Sequence, residues 1–143
     1  MKALSMKQPV PELILQGKKT IELRKWKTSF RGKFLLHASL SELKGFDIDP
    51  KDLPHGFLVG TADLVEVIKF KSKEQFESLK NKHLAKSETW FIPKRTYGFI
   101  LENPERLEKP IPYKGQLNFF DVNIQDKRQK LLSEVSIWNF KSI

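Results

Sequence analysis

The apolar residues of this chain fall in short runs of β type, and no helix-length pattern alternates with them one for one. Segments 33–38 and 57–70 are rich in Val, Leu, Phe and Ile and read as strands, the second with a bend near Gly60 or Asp63. Ala3–Met6 is a short apolar strand. In Thr20–Lys25, Ile21 and Leu23 alternate with Thr20, Glu22 and Arg24, the pattern of a half-buried strand. Tyr97–Glu102 and Asn118–Asn123 add late strands. Helices are fewer. Pro9 or Pro11 can open one, because an early proline sacrifices no intrahelical bond. Val10, Leu13 and Ile14 then share a face, and Gly17 can supply the left-handed stop. Ser72 with Gln75 resembles a capping box ahead of Phe76 and Leu79. Asp126 with Gln129 can cap a last helix that turns Leu131, Leu132, Val135 and Trp138 inward. Loops are expected at Leu40–Pro54 and at Glu102–Gly115, where Pro104, Pro110 and Pro112 forbid a continuous helix. Without a βαβ rhythm, the expectation is an α+β fold, mainly β: a small curled sheet or barrel with two or three packed helices.

A chain of 143 residues is the usual size of one domain, taken here as residues 1–143 with 124–143 as a C-terminal helical extension. It contains no cysteine, which removes disulfides, thiolate nucleophiles and Cys-based zinc sites. No apolar run approaches the ~20 residues of a membrane helix, and the N-terminus carries no signal-peptide pattern, so a cytoplasmic protein away from membranes is expected. His37, His55 and His83 lack metal-ligand spacing, and no metal is expected. His37 reads as a hydrogen-bonded core histidine. There is no phosphate-binding loop, dinucleotide fingerprint or nucleophile elbow, and no cofactor is expected.

Charge gives the first functional clue. The formal net charge is +9, and residues 1–44 hold ten basic against three acidic side chains. A basic first third on a small domain points to a polyanion partner. The densest polar constellation is Gly17-Lys18-Lys19-Thr20-Ile21-Glu22-Leu23-Arg24. Gly17 turns the chain, the strand sets Glu22 and Arg24 on one face, and Lys19 can swing toward them, an arrangement suited to phosphate or a planar polar base. The plain alternative is an exposed strand face with a Glu–Arg pair. Trp26 and Phe30, among Lys25, Lys27 and Arg31, have the texture of a base-stacking platform, or else pack in the core. Trp90 and Phe91, near Lys94 and Arg95, could form a second wall. Ser5 and Gln8 can reach the same cleft from the first turn, although Gln8 equally suits a helix-start hydrogen bond.

Gly17-x-Lys19-x-x-Glu22-x-Arg24 matches the GxKxxExR signature of the ASCH domain, a branch of the PUA-like superfamily, and the surroundings match in order. Leu4-Ser5-Met6-Lys7-Gln8-Pro9 resembles the family's opening strand and turn. Trp26 followed by Arg31-Gly32-Lys33 resembles its W…RG segment, and Gly56–Gly60 its central strand entry. Tyr97-Gly98-Phe99 with Glu102-Asn103-Pro104, then Pro112-Tyr113-Lys114-Gly115-Gln116, resembles its late strand and turn. The likeness runs from about residue 3 to 122 and is strongest to the family branch represented by the activating signal cointegrator.

The resemblance implies a PUA-like β-barrel of five or six strands flanked by helices, with a cleft floored by the signature strand. It also implies work on RNA or DNA. Family members include nucleic-acid binders, small amidohydrolases of acetylated cytidine and a ribonuclease-like protein, so the family alone does not fix an activity. The leading expectation is RNA or single-stranded nucleic acid, or a nucleotide-like ligand, held by Ser5, Lys7, Gln8, Lys18, Lys19, Arg24, Trp26, Lys27 and Arg31. The alternative is a hydrolase of a modified nucleoside or RNA that depends on Lys19 and Glu22. The amidohydrolase branch carries Thr where Glu22 stands, and its second carboxylate has Glu74, Glu77 and Glu88 as candidates here. Glu22 is expected to hold Lys19 charged and raise its pKa. A third reading is a protein-interaction module with a solvated basic face. The oligomeric state is left open.

Overall fold

The computed structural model describes residues 1–123; the expected helix over 126–138, and with it the C-terminal extension, lies outside them. The elements in chain order are β1 (Lys2–Gln8), α1 (Val10–Leu15), β2 (Ile21–Arg24), β3 (Gly32–Glu42), a 3-10 turn (Pro50–Asp52) and β4 (Phe57–Lys69). There follow α2 (Lys73–Ser78), α3 (Lys80–His83), α4 (Ser87–Trp90), β5 (Tyr97–Pro112) and β6 (Phe119–Asp121). The strands form one sheet in the order β2-β5-β4-β3-β1-β6. Among the described residues, only β1 and β3 pair in parallel; the remaining pairs are antiparallel.

The continuous apolar run of β3 is explained by burial on both faces. Phe34, Leu36 and Ala38 enter the main core with Leu4, Met6, Ile14, Ala62, Leu64 and Phe99. Leu35 points the other way, toward Ala3, Leu58, Leu107, Phe120 and Val122. A third cluster joins Ile21 and Leu23 of β2 to Phe70 and Phe76, so the short helices α2–α4 form a cap over that end of the sheet. As expected, Ser72 accepts the Gln75 backbone N–H at 3.1 Å. Helix α1 has Pro11 in its first turn and is followed by Gly17 at φ +76°. It is clamped to β5 by Glu12, whose two carboxylate oxygens accept from Arg106 at 2.8 and 2.9 Å. Those bonds hold the Glu12 carboxyl below its ordinary pKa.

Two expectations need correction. The sheet is not closed into a barrel: β2 lies at one edge and β6 at the other, without hydrogen bonds between them. The edge strands are short, four and three residues, and β6 covers only Lys2–Leu4 of β1. Side chains close the curl instead. Phe99 of β5 and Phe119 of β6 stack 6.2 Å apart, and Trp26 meets both rings edge-on at 5.3 and 6.0 Å. The second correction concerns 102–112, expected as loop. This segment is the far half of β5, paired with β4 through Glu105↔Thr61, Arg106↔Gly60 and Pro112↔Phe57. Prolines are tolerated because this half has no strand on its other side among the described residues. Bulges between Leu58 and Gly60, Thr61 and Asp63, and Leu64 and Glu66 absorb the irregularity and supply the bend expected in β4.

Gly60 sits where this bent strand passes beneath α1. A Cβ there would lie 2.5 Å from both the Glu105 carbonyl oxygen and a Leu15 methyl group. Gly60→Ala therefore forces backbone apart, and we expect a loss of about 1–3 kcal/mol, the usual penalty of overpacking. Urea denaturation of the variant measures it; a midpoint equal to that of the native chain would contradict the close approach.

Candidate nucleotide site in the open seam

The unclosed seam is where the signature residues meet. Gly17 ends α1, and the backbone N–H groups of Lys18 and Lys19 both return to the Leu13 carbonyl at 3.0 and 3.1 Å, the αL stop that satisfies free carbonyls at a helix end. The chain then enters β2 with Ile21 and Leu23 buried toward the cap and Glu22 and Arg24 lining a cavity of about 450 Å³. Ser5, Met6 and Lys7 of β1 form the opposite side, and His83, Ala85 and Trp90 reach in from the cap. The alternation expected in this strand is thus present.

The polar floor is a buried network and not an exposed ion pair. Lys19 is 5% exposed and Glu22 7%. The Lys19 ammonium donates to the His83 carbonyl at 2.6 Å and lies 3.6 Å from Glu22 Oε1. The Arg24 guanidinium donates twice to Glu22 Oε2, at 2.9 and 3.1 Å, and once across the seam to the Ser5 carbonyl at 2.9 Å. Its carbon stands 6.0 Å from the Trp26 ring centre. The net pKa of Lys19 is not raised, contrary to expectation, although Glu22 acts in the expected direction. Burial lowers it, and the attraction of Glu22 only partly offsets that desolvation.

Of the candidate residues, Ser5, Lys7, Lys19, Glu22, Arg24 and Trp26 line this cavity, and Lys25 joins them. Gln8 is turned inward. It donates to the Pro54 carbonyl at 3.0 Å and accepts the Glu12 N–H at 3.4 Å, the helix-start role weighed for it. Lys18 and Lys27 are exposed and outside the lining. Arg31 is engaged by Glu66 at 3.1 Å and by the Thr28 and Phe30 carbonyls. Phe30 packs 4.9 Å from Phe119. Trp26 packs in the core and also forms a cavity wall. Trp90 forms a wall, whereas Phe91 packs on Phe76 at 5.6 Å. Glu74, Glu77 and Glu88 are exposed, and Glu22 is the one carboxylate among the lining residues. Sequence reasoning missed Phe46, which lines the cavity from the 43–49 loop, and His83. It also passed over the cap's charge: residues 71–95 hold seven basic and three acidic side chains.

Both buried histidines are tied to backbone carbonyls through Nε2, and burial favours the neutral ring in each. His83 Nε2 donates to the Phe76 carbonyl at 2.7 Å, leaving Nδ1 to accept the Ala85 N–H at 3.0 Å. His37 Nε2 donates to the Tyr113 carbonyl at 2.7 Å, leaving Nδ1 to accept from the Ser5 hydroxyl at 2.9 Å. Burial lowers both pKa values below 6.5. Below about pH 6.5 the unfolded chain binds more protons at these positions than the fold does, so stability falls as pH drops. We expect the urea midpoint to decline between about pH 7 and 5, with His83→Gln and His37→Asn each flattening the decline. Lys19 acts at the alkaline end: its lowered pKa makes stability rise as pH climbs toward 10.5. Glu22→Ala strands the buried Lys19 charge and should cost about 3–5 kcal/mol, and Lys19→Met in the same chain should recover part of that loss.

The residues of this seam can be set beside known proteins. The ASCH domain family model matches residues 4–125. Activating signal cointegrator 1 of Homo sapiens is 30% identical over 129 residues and that of Mus musculus 32%, each match covering 78% of this chain. The chain spans about a fifth of the length of these relatives. Among solved structures, ASCH from Zymomonas mobilis superposes with a TM-score of 0.67 at 15% identity, covering 92% of this chain and 93% of that one. A serine-to-alanine mutant of the same Zymomonas mobilis protein gives 0.68 at 15% identity, covering 93% and 94%. With a family model that matches residues 4–125 and relatives at 30% and 32% identity over most of its length, the chain belongs to the ASCH domain family.

Proposed function

We propose that the seam cavity takes one nucleotide of a single-stranded nucleic acid, RNA in preference. ASCH domains are generally proposed to bind RNA, and the observation that carries the reading here is the cavity itself. Its volume of about 450 Å³ falls in the range of small-molecule pockets. Trp26 and Trp90 supply aromatic walls for an unstacked base. Both bonds from Arg24 to Glu22 fall on Oε2, which leaves Oε1, with Lys19 at 3.6 Å, to accept a base N–H. Lys7 and Lys25 are exposed at the rim, without an ion pair among the described residues, and suit the flanking phosphates.

Two rim lysines give a modest salt dependence, a log–log slope of about −1.4 at −0.7 per phosphate contact. Lys25→Ala, at an exposed position, should flatten the slope by about 0.7. Trp90→Ala should weaken binding by roughly 1–3 kcal/mol, the worth of one stacked base. Titration of oligoribonucleotides across about 50–200 mM salt reads both effects. An affinity indifferent to salt and to Trp90 would remove this reading.

One observation favours a hydrolase as the second reading: a buried lysine of lowered pKa beside a carboxylate in a cavity. An amidohydrolase would split N4-acetylcytidine with one water into cytidine and acetate. On that reading Lys19→Met abolishes acetate release while the chain stays folded. Nucleotide binding without any acetate release favours the binder.

A further inference from the structure

A second cavity lies on the other side of Ser5. It has a volume of about 860 Å³ between the end of β3, the end of β5 and the turn 113–117, and Ser5 lines it as well as the seam cavity. Resting on the reading above, we propose that it receives the neighbouring nucleotide of the same strand, so that the domain grips two consecutive nucleotides with Ser5 as the divider.

Several observations point to that occupant. Ser5 is held from both sides: Arg24 bonds its carbonyl from the seam, and His37 accepts its hydroxyl proton from the second cavity. The divider is therefore fixed by two independent elements, and the two cavities share it as a common wall. The second cavity is mostly apolar, walled by Pro112 and Tyr113, and Leu40 and Leu117 stand at its lips 83% and 90% exposed. Large apolar side chains left in water beside a concavity mark a surface that takes a ligand. Polar groups are few and placed where a nucleotide needs them. Lys114 is an exposed cation suited to a phosphate, and Ser39 and Gln116 offer hydrogen bonds. The floor approaches closely at Gly115, where a Cβ would come within 2.8–3.0 Å of the His37 ring and the Ser5 hydroxyl. Glycine there lets the turn pack directly on His37 and Ser5, which fixes the floor of the cavity.

The test is a length series of ribonucleotides, from nucleoside monophosphate to pentamer, against the chain and two surface variants, Lys114→Ala and Leu117→Asp. Affinity should rise about tenfold from one nucleotide to two and then level off. Backbone amide NMR signals of residues 114–117 should shift with the dinucleotide and stay still with the monophosphate. Each variant should bring the dinucleotide's affinity close to that of the monophosphate and leave monophosphate binding unchanged. If the monophosphate binds and shifts the seam residues but the dinucleotide gains nothing, the second subsite is overturned while the seam reading stands. The same holds if signals at 114–117 respond to neither. If no member of the series shifts any signal around Glu22 and Trp90, the seam reading falls and the subsite with it. If the variants weaken monophosphate and dinucleotide alike, the second cavity is not a separate subsite.

Discussion

One guanidinium spans the open seam and shapes the site around it. Arg24 is anchored on Glu22 in its own strand and reaches across an unpaired gap to the carbonyl of Ser5 in β1. A backbone ladder there would have closed the sheet and filled the space. A side-chain bridge instead spans the gap and keeps it open, so that backbone groups of Ser5–Lys7 and the walls on either side face a cavity. Arginine suits the task because its planar fork serves a carboxylate and a carbonyl at once while its face rests over Trp26. Lysine could not make this set of contacts.

A second cation ties in the cap. Lys19 lies almost wholly out of water and ends at the His83 carbonyl, on the last residue of the one-turn helix α3. The cap helices are too short to be stable alone. Their place depends on Phe70, Phe76 and Trp90 packing over β2 and on this one charged contact. The signature strand therefore has two duties. Its apolar side seats the cap, and its polar side lines the cavity the cap helps to wall. The lowered pKa of Lys19 follows from the same burial.

Much of this was legible in the residues. The alternation of Ile21 and Leu23 with Glu22 and Arg24 is a property of strand geometry and needs no tertiary information. Gly17 as a helix stop and His37 as a bonded core histidine are equally local inferences. What the sequence did not reveal depends on long-range placement. Whether a curled sheet closes is set by how far β2 and β6 extend, four and three residues here, and local pattern fixes strand ends poorly. The sign of the Lys19 shift was misjudged because spacing shows the neighbouring carboxylate but not the loss of water around the amine. The side chains of Lys18, Lys27 and Arg31 are basic like those of the cavity, and only their location separates them from it.

The far half of β5 was hidden for a different reason: Pro104, Pro110 and Pro112 look like loop. In the fold they stand on a sixteen-residue strand whose outer side, among the described residues, has no paired strand for much of its length. Proline offers no N–H to an arriving chain, and Lys109 and Glu108 add charge along the same stretch. Such an edge is a poor template for another strand. The residues that conceal this strand from pattern recognition also conceal it from other sheets. Among the described residues, the open side of this sheet is therefore poorly suited to pairing with another strand.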